Sequence, residues 1–581
     1  MKELLSPAGN MECLKAAVNN GADAIYLGGK TFGARAYAGN FSNEELKEAV
    51  NYAHLYGIKI YITVNTIIYN TEVDELIKYI EYLYKIGVDA LIMQDIGMIS
   101  LVRKVFPNME LHASTQCHNH NNEGIKLLKE LGVTRIVLDR EVSLEEIENI
   151  DVDIEKEVFI HGALCNCYSG CCLFSFMNGG RSGNRGECTQ VCRLPFKLIK
   201  NGEYVNNESK YLLSTKELNT INNFNKLLDS DIVSFKIEGR MKSPSYVGYV
   251  TRIYRKLIDS YSNRISSKEE DNLKILFNRE FTNGYLFKDK VMNIESSNHR
   301  GLDIGKVIDV NKKKIKIKLD KELYQEDGIR FKNSNKGMIA NFIYNEKGLL
   351  INKYSLDYNK EDDYNTEISI LARNKEQVQA GIDMNIDRIY VDSELYDIYK
   401  DNDKIYLRLE RVNNNYNYDS KNILATEIGA IYKYRDSNLI SDYYLNVVNN
   451  YSIKFLLDNG VKRVTLSPEV NYNYLDDYIL DKVELIIYGT IENMITKSCP
   501  IKELKICPCK KEDIYYLEDI NKNRYRILHN NCLTHIMHYK KINYIDNISY
   551  YKNLGIRSYR LELLDESYDE VIRLIDEIRK K

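Results

Sequence analysis

The chain has 581 residues, 44% apolar and 28% charged, which is the composition of a globular protein with several domains. Its 80 Lys and Arg nearly balance its 83 Asp and Glu, and the net charge of −3 excludes a global polycation for nucleic acid but not a local basic patch. No apolar run suits a secretion signal or a membrane span. We therefore expect a cytoplasmic protein without membrane contact, whose 12 cysteines form no disulfides.

A repeating pattern of helix, glycine and apolar run organises the first part of the chain. Glycine ends a helix readily, because it enters the left-handed region at little steric cost, and nearly continuous apolar runs are typical of strands covered on both faces. The alternation predicts a parallel α/β sheet, and its spacing favours a TIM-like barrel over a doubly wound sheet. The clearest glycine-and-strand units are 21–27, 57–63, 87–93 and 132–138.

The same pattern returns late in the chain, where 370–374 and 387–391 can be laid on 6–10 and 23–27 at one fixed offset. This indicates an internal duplication, and the alternative is the chance likeness of any two α/β domains. The fold class is therefore α/β, with four regions. We predict a TIM-like barrel over 1–260, a helical connector over 261–297, a small antiparallel β-barrel over 298–365, and a degenerate α/β domain over 366–581.

The predicted small β-barrel carries a local positive charge. Apolar and basic residues alternate over 312–319, and Asp327-Gly328 is a turn signal. Residues 300–340 hold 11 Lys and Arg against 6 Asp and Glu. Two interpretations stay open, a solvated strand face and a surface that binds RNA phosphates through Lys312, Lys313, Lys314 and Lys316.

Six of the cysteines crowd into 165–192, directly after a predicted strand at 159–164. Four of them, Cys165, Cys172, Cys188 and Cys192, are separated by 6, 15 and 3 residues. Four thiolates can hold zinc or an iron–sulfur cluster, and this irregular spacing at a barrel mouth suits a cluster better than the paired knuckles of a zinc ribbon. Six unliganded thiols are the third interpretation.

The stretch 157–175 resembles the signature of the U32 collagenase-like peptidase family, E-x-F-x2-G-[SA]-aliphatic-C-x4-G-x-C-x-aliphatic-S. Phe174 departs from it by replacing the last aliphatic residue. The resemblance is strong over 1–305 and looser beyond 370. Further segments that resemble the family are 4–10, 32–35, 181–186, 235–244, 278–286 and 299–305.

The activities that the resemblance implies are mixed, and one pair of members hydroxylates a ubiquinone precursor without oxygen and carries [4Fe-4S] clusters. Some members are labelled proteases, whereas others hydroxylate RNA, making 5-hydroxycytidine in 23S rRNA or 5-hydroxyuridine in tRNA, with dependence on iron–sulfur assembly and prephenate. The long form of this chain most resembles the rRNA branch. By motif position the resemblance assigns a [4Fe-4S] cluster to Cys165, Cys172 and Cys188, and we predict Cys192 as the fourth ligand.

We expect an RNA hydroxylase with rRNA or tRNA as partner and no role for DNA. The sequence has neither an H-E-x-x-H nor a G-x-S-x-G motif, so a peptidase would depend on a pair such as Cys165 and His161. A non-enzymatic RNA-binding protein with a structural cluster is the second alternative. Nothing in the sequence indicates an oligomeric state.

Two further sets of residues are predicted as sites. Lys236, Glu238 and Arg240 alternate along a predicted strand and, with Arg35, are candidates to bind a carboxylate such as prephenate. The alternative is a structural ion-pair network in the barrel mouth. In the last region, four cysteines are spaced like a structural zinc site, with scattered buried thiols as the alternative. This second metal site would comprise Cys499, Cys507, Cys509 and Cys532.

Overall fold

A computed structural model describes residues 2–581 except for 36–37, 262–263, 302–304, 312–313, 320–327, 331–336, 340–365, 415, 506–512 and 531. Among the described residues, no helix has the length and apolar character needed to cross a membrane.

Eight parallel strands close into a barrel in the first half of the chain. Strand Glu3–Pro7 pairs with Ala24–Leu27 on one side and with Ser234–Ile237 on the other, and the latter also pairs with Glu155–Ala163, so the sheet closes on itself. The predicted TIM-like barrel is confirmed. In chain order its strands are Glu3–Pro7, Ala24–Leu27, Lys59–Val64, Ala90–Met93, Glu110–Ala113, Arg135–Val137, Glu155–Ala163 and Ser234–Ile237.

Helices cover the outside of this barrel and end as the sequence predicts. Gly21, Gly57, Gly87 and Gly132 follow helices with φ between 71° and 86°, in the left-handed region that glycine tolerates. The apolar faces of the helices and the strands form one continuous core. The helices are Met11–Asn19, Asn43–Leu55, Val73–Lys85, Ile96–Val105, Asn122–Glu130, Leu144–Glu148, Phe224–Asp229 and Pro244–Ser260, with Ser267–Leu276 in the predicted connector.

A second closed barrel of eight parallel strands occupies the last region, which is more regular than the degenerate domain we expected. Its strands are Glu367–Ala372, Arg388–Val391, Ile405–Arg408, Asn422–Ala425, Asn438–Ser441, Val461–Thr465, Val483–Gly489 and Ser558–Glu562. Its helices are Lys375–Asp383, Ser393–Tyr399, Ile428–Lys433, Asn450–Asp458, Ile548–Asn553 and Tyr568–Arg579.

Equivalent details in the two barrels support the predicted duplication. Asn10 and Asn374 each cap the first helix of their barrel through the side-chain oxygen. Gly162 and Gly489, near the ends of the two seventh strands, have φ of 106° and 119°. A Cβ at either glycine would meet the carbonyl oxygen of a glutamate at the carboxyl end of the eighth strand, Glu238 or Glu562. These matched details favour an internal duplication, which stays a prediction.

The two barrels pack through matching pairs of helices. Helix Ile96–Val105 packs on Asn450–Asp458, and helix Asn122–Glu130 packs on Ile428–Lys433. An antiparallel sheet of six strands also joins them, because it draws two strands from the first half and four from the second. These strands are Lys197–Lys200, Glu203–Tyr204, Glu492–Thr496, Tyr515–Glu518, Arg524–Asn530 and Leu533–Met537.

Between the barrels, the described residues form two antiparallel pairs. Gly305–Asn311 pairs with Lys314–Leu319, and Gly328–Arg330 pairs with Gly337–Ile339. Antiparallel pairing is what we predicted for this region. The remainder of the predicted small β-barrel, including Lys312 and Lys313, lies outside the described residues.

Candidate functional site

The cysteine-rich insertion begins where the seventh strand of the first barrel ends. Strand Glu155–Ala163 is followed at once by Leu164 and Cys165, and we call residues 164–193 the cysteine segment. Parallel barrel strands bring their carboxyl ends to one face, where barrel enzymes carry their chemistry. The cysteine segment crosses this face, since Gly186 lies against the backbone of the loop that follows the second strand.

The structure brings together the four cysteines that we predicted as cluster ligands. The Cys165 and Cys188 side chains are exposed, whereas Cys172 and Cys192 are half-buried. Although these two residues have exposed surface, the protein atoms packed around their sulfurs keep water away and raise the pKa of Cys165 and Cys188, and neighbouring thiols of the set act in the same direction. Burial also raises the pKa of Cys192 to about 12. A bound metal would stabilise the thiolates against these unfavourable surroundings, because metals deprotonate the thiols that they bind.

The four sulfurs do not form a group tight enough for a single ion in the part of the chain that the structure describes. Four thiolates around one zinc ion, each at about 2.3 Å from it, would lie about 3.8 Å from one another. In the part of the chain that the structure describes, the group whose ligand atoms all lie within 4.8 Å of one another is formed by His118, His120 and Glu427, not by these cysteines. A cube of four irons holds its cysteine ligands further apart than one ion does, so a [4Fe-4S] cluster does not require such a tight group, and the cluster stays a prediction.

The other two cysteines of the segment are buried in a smaller core between the six-stranded sheet and the segment itself. Cys167 is 1% exposed and Cys171 is 4% exposed. A hydrogen bond between Cys167 and Cys172 lowers the pKa of Cys172, and the Arg411 charge acts in the same direction. Cys167 and Cys171 therefore anchor the segment in this core, while the four predicted ligands are less buried than they are.

A buried network of polar side chains lies beside Cys171, between the barrels. His118 donates from Nδ1 to Asp139 at 2.6 Å and from Nε2 to the carbonyl oxygen of Arg411 at 3.1 Å. Although burial opposes it, the charges of Cys171 and Asp139 raise the pKa of His118 well above its ordinary value. The adjoining cavity measures about 60 Å³, which holds a few water molecules but no peptide.

Three arginines and one glutamate meet at the mouth of the first barrel. Glu238 pairs with Arg35 at 3.3 Å and with Arg140 at 3.2 Å. Arg240 is 4% exposed, and its Nη1 donates to the Thr63 hydroxyl at 2.9 Å. Burial, with repulsion from Arg35, lowers the pKa of Arg240 to about 10. One carboxylate among three guanidinium groups leaves positive charge in the mouth, which is the requirement for binding an anion.

Lys236 has a different role from the arginines. Its Nζ lies 2.9 Å from Glu157 Oε1, and both side chains are at most 5% exposed. Arg135 pairs with the same carboxylate at 3.4 Å. Lys236 thus belongs to an ion-pair network inside the barrel, which was the alternative that the sequence left open. Glu238 joins the arginines at the mouth.

The predicted alternative pair of Cys165 and His161 is not assembled. His161 is buried, and its Nδ1 lies 3.3 Å from the Tyr254 hydroxyl. Burial lowers the pKa of His161 to about 3, so the ring stays neutral. A cysteine nucleophile needs a base within hydrogen-bonding reach. The contacts of His161 instead identify it as a core residue of the barrel.

Two of the four cysteines in the predicted second metal site can be placed. Cys499 is half-buried, and its sulfur accepts the backbone N–H of Lys502 at 3.4 Å at the start of the short helix Pro500–Glu503. Cys532 is exposed. Cys507 and Cys509 lie outside the described residues, so the second metal site stays a prediction.

Three residues of the site were missed in the sequence. Arg140 and Glu141 follow the sixth strand, and only the fold brings them to the mouth. Both carboxylate oxygens of Glu141 are buried without a hydrogen-bond partner among the described residues, and burial raises its pKa to about 8. Arg411 comes from the second barrel and donates to the Cys171 carbonyl. In the sequence, the position of Arg140 and Glu141 after a predicted strand is the one signal that could have indicated these two residues.

Comparison with known proteins places the chain in a family. The model of peptidase family U32 matches residues 9–296. An uncharacterized protease of Methanocaldococcus jannaschii is 37% identical over 337 residues, which are 54% of this chain and 82% of that protein. The chain belongs to peptidase family U32. The resemblance drawn from the cysteine motif is confirmed.

Other relatives of this U32 chain are named for RNA hydroxylation. It is 40% identical over 342 residues to the 23S rRNA 5-hydroxycytidine C2501 synthase of Escherichia coli, covering 56% of this chain and 52% of that protein. It is 43% identical over 267 residues to tRNA hydroxylation protein P1 of Bacillus subtilis, covering 45% and 63%. The match thus spans between half and two thirds of these two relatives.

A solved structure of a U32 peptidase, Mk0906, also matches this chain. The two share 14% sequence identity with a TM-score of 0.29, over 41% of this chain and 93% of that structure.

Proposed function

We propose that this chain is an iron–sulfur-dependent enzyme that hydroxylates a pyrimidine base in RNA, with 5-hydroxycytidine in 23S rRNA as the first candidate product and 5-hydroxyuridine in tRNA as the second. The observation that carries the proposal is the gathering of Cys165, Cys172, Cys188 and Cys192 beside an arginine-rich barrel mouth. The names of the rRNA and tRNA relatives support the choice of RNA and of hydroxylation.

The four cysteines would hold the [4Fe-4S] cluster. Replacing the C5 hydrogen of a pyrimidine by a hydroxyl group whose oxygen comes from water releases two electrons and two protons. A bound cluster would pass these electrons, one at a time, to an electron acceptor outside the chain. The chain contributes the thiolates, and the Gly-rich loop at 179–186 lies beside two of these cysteines, since the Cβ position of Gly183 is 3.8 Å from the Cys172 carbonyl oxygen and 3.8 Å from the Cys188 Cβ.

The arginines would bind a carboxylate co-substrate. Arg240 is buried and bonded to a neutral hydroxyl, so its guanidinium keeps donors for an anion. Arg35 is 39% exposed and gives the anion a contact at the entrance. A dicarboxylate such as prephenate matches the excess positive charge, and Glu238 keeps the empty mouth from being strongly repulsive.

The RNA partner would be held by its phosphates. The positive segment at 300–340 supplies a sequence-independent surface, and such contacts position a nucleic acid without reading its bases. The geometry at His161 gives no support to hydrolysis by Cys165. A non-enzymatic RNA-binding protein would bind RNA but leave its nucleosides unmodified, so measuring the modified nucleoside separates that alternative from this proposal.

Replacing Arg240 tests the proposal at its anion site. We expect Arg240→Ala to lower the yield of hydroxylated pyrimidine by about 100-fold, because one misplaced reactant costs an enzyme that much. Iron content should stay at the wild-type level. The measurement is nucleoside mass spectrometry of RNA from a strain that lacks the chain and is complemented with each variant.

Arg240→Lys and Arg255→Ala complete this experiment. Lysine keeps the charge and should retain part of the activity, with a higher requirement for the carboxylate co-substrate. Arg255 lies on the outer helix Pro244–Ser260 and pairs with Asp23 and Asp259, so its replacement should leave the yield unchanged. Full hydroxylation by Arg240→Ala would contradict the assignment of the mouth as the co-substrate site.

A further inference from the structure

The cysteine segment is held largely by the second barrel and its insertion. The backbone N–H groups of Tyr168 and Leu173 donate to the carbonyl oxygens of Ile495 and Asn493, at 3.1 and 2.9 Å. The Asn446 side chain donates to the Gly170 carbonyl at 2.8 Å. A segment with few regular hydrogen bonds of its own thus takes its shape from another part of the fold.

Asn184 and Glu469 extend this attachment to the Gly-rich loop. The Asn184 side chain donates to Glu469 Oε2 at 2.9 Å, and Glu469 is 3% exposed. The second barrel therefore contacts the cysteine segment both before and after Cys172, which carries one of the predicted ligands. These contacts fix the segment on two sides.

Arg411 is the charged residue at the centre of this attachment. It follows the third strand of the second barrel and is 5% exposed. Its Nη2 donates to the Cys171 carbonyl at 3.1 Å, and its Nη1 donates to Glu492 Oε1 at 2.9 Å. The guanidinium carbon lies 3.8 Å from the centre of the Tyr444 ring. This contact fixes the plane of the guanidinium group, whose N–H donors form a rigid fork.

The partners of Arg411 are fixed in turn. His535 contacts the other oxygen of Glu492 at 2.7 Å, and His118 of the first barrel donates to the Arg411 carbonyl at 3.1 Å. The carbonyl that Arg411 holds belongs to the peptide bond between Cys171 and Cys172. The orientation of this peptide sets the direction in which the Cys172 side chain leaves the backbone.

We propose that Arg411 is a positioning residue for the cluster, so that the second barrel completes a cysteine site that the first barrel alone does not form. The inference rests on the proposed function, since it presupposes a cluster on the four cysteines. Arg411 acts through the peptide of Cys172, and its charge also favours the reduced form of a nearby cluster.

The test compares Arg411→Gln, Arg411→Lys and wild type as full-length chains purified without oxygen. Iron and sulfide per chain, the absorption band of the cluster and its reduction potential are measured. We expect Arg411→Gln to lose at least half of its iron, and the cluster that remains to have a more negative potential. Arg411→Lys keeps the charge but not the fork, so its potential should stay nearer to wild type while some iron is lost.

Arg388→Lys is the matched control for these variants. Arg388 is another buried arginine of the second barrel, paired with Glu367 and Glu484 within that barrel. Its replacement should lower the melting temperature at wild-type iron content. If Arg411→Gln does not fold, the iron content and the reduction potential of Arg411→Lys are compared with those of Arg388→Lys instead.

The outcomes separate the two proposals. Wild-type iron content together with an unchanged potential in the Arg411 variants would overturn this inference alone. A wild-type chain that binds no iron or sulfide after reconstitution would overturn the proposed function and this inference with it.

Discussion

Cys172→Ser is expected to remove the iron of the purified chain by more than about tenfold and to abolish RNA hydroxylation. Loss of a residue that only supports a metal ligand already costs 10- to 100-fold in affinity, and Cys172 is a predicted ligand at the centre of the site. Its neighbours in the set are Cys165, Cys188 and Cys192. Iron and acid-labile sulfide assays, with absorption near 400 nm, measure the loss.

Cys167→Ser is the matched control for this experiment. Cys167 is buried beside Cys172, so the variant should be somewhat less stable but should keep most of its iron. Equal iron in Cys172→Ser and wild type would show that the cluster does not use this cysteine. Equal loss in both variants would indicate that the segment responds to packing rather than to ligation.

Lys236→Met should destabilise the first barrel by about 3 kcal/mol, because removing one partner of a buried pair leaves a charge without compensation. Although burial opposes it, Lys236 and Arg135 hold the pKa of Glu157 below its ordinary value, and Arg135 would compensate only in part. Chemical denaturation followed by circular dichroism measures the change. Iron per folded chain should be unaffected.

The double variant Lys236→Met, Glu157→Gln separates charge from packing. It should recover part of the stability, since no ionised carboxylate is then left in the barrel. Lys85→Met, which breaks an exposed pair with Glu81, should change the stability by less than about 0.5 kcal/mol. If Lys236→Met is as stable as the Lys85 variant, the ion pair inside the barrel is not structural.

Local patterns predicted the parts of the fold that depend on local physics. Each glycine that we placed at a helix end has positive φ, because no other residue adopts that conformation as cheaply. The apolar runs became barrel strands because both of their faces are covered. The spacing of the cysteines predicted a common site, and in the fold each of the four lies near others of the set, while the cluster itself stays a prediction.

Long-range contacts were not accessible in the same way. Arg140 reaches Glu238 only after the sixth and eighth strands close into a barrel. Arg411 and Cys171 are 240 residues apart in the chain, and no local pattern links them. Lys236 and Arg240 looked alike in sequence, yet one has a carboxylate partner deep in the barrel and the other a hydroxyl at its mouth. Partners of buried charges depend on closure of the whole sheet.

We propose above that this chain hydroxylates RNA with the help of its cysteine site. The most direct test is mass spectrometry of nucleosides from purified 23S rRNA and tRNA, in a strain that lacks the chain and in the same strain complemented with wild type or Cys172→Ser. We expect a 5-hydroxypyrimidine to disappear on deletion, to return with wild type and to stay absent with Cys172→Ser. Identical nucleoside profiles in all of these strains would contradict it.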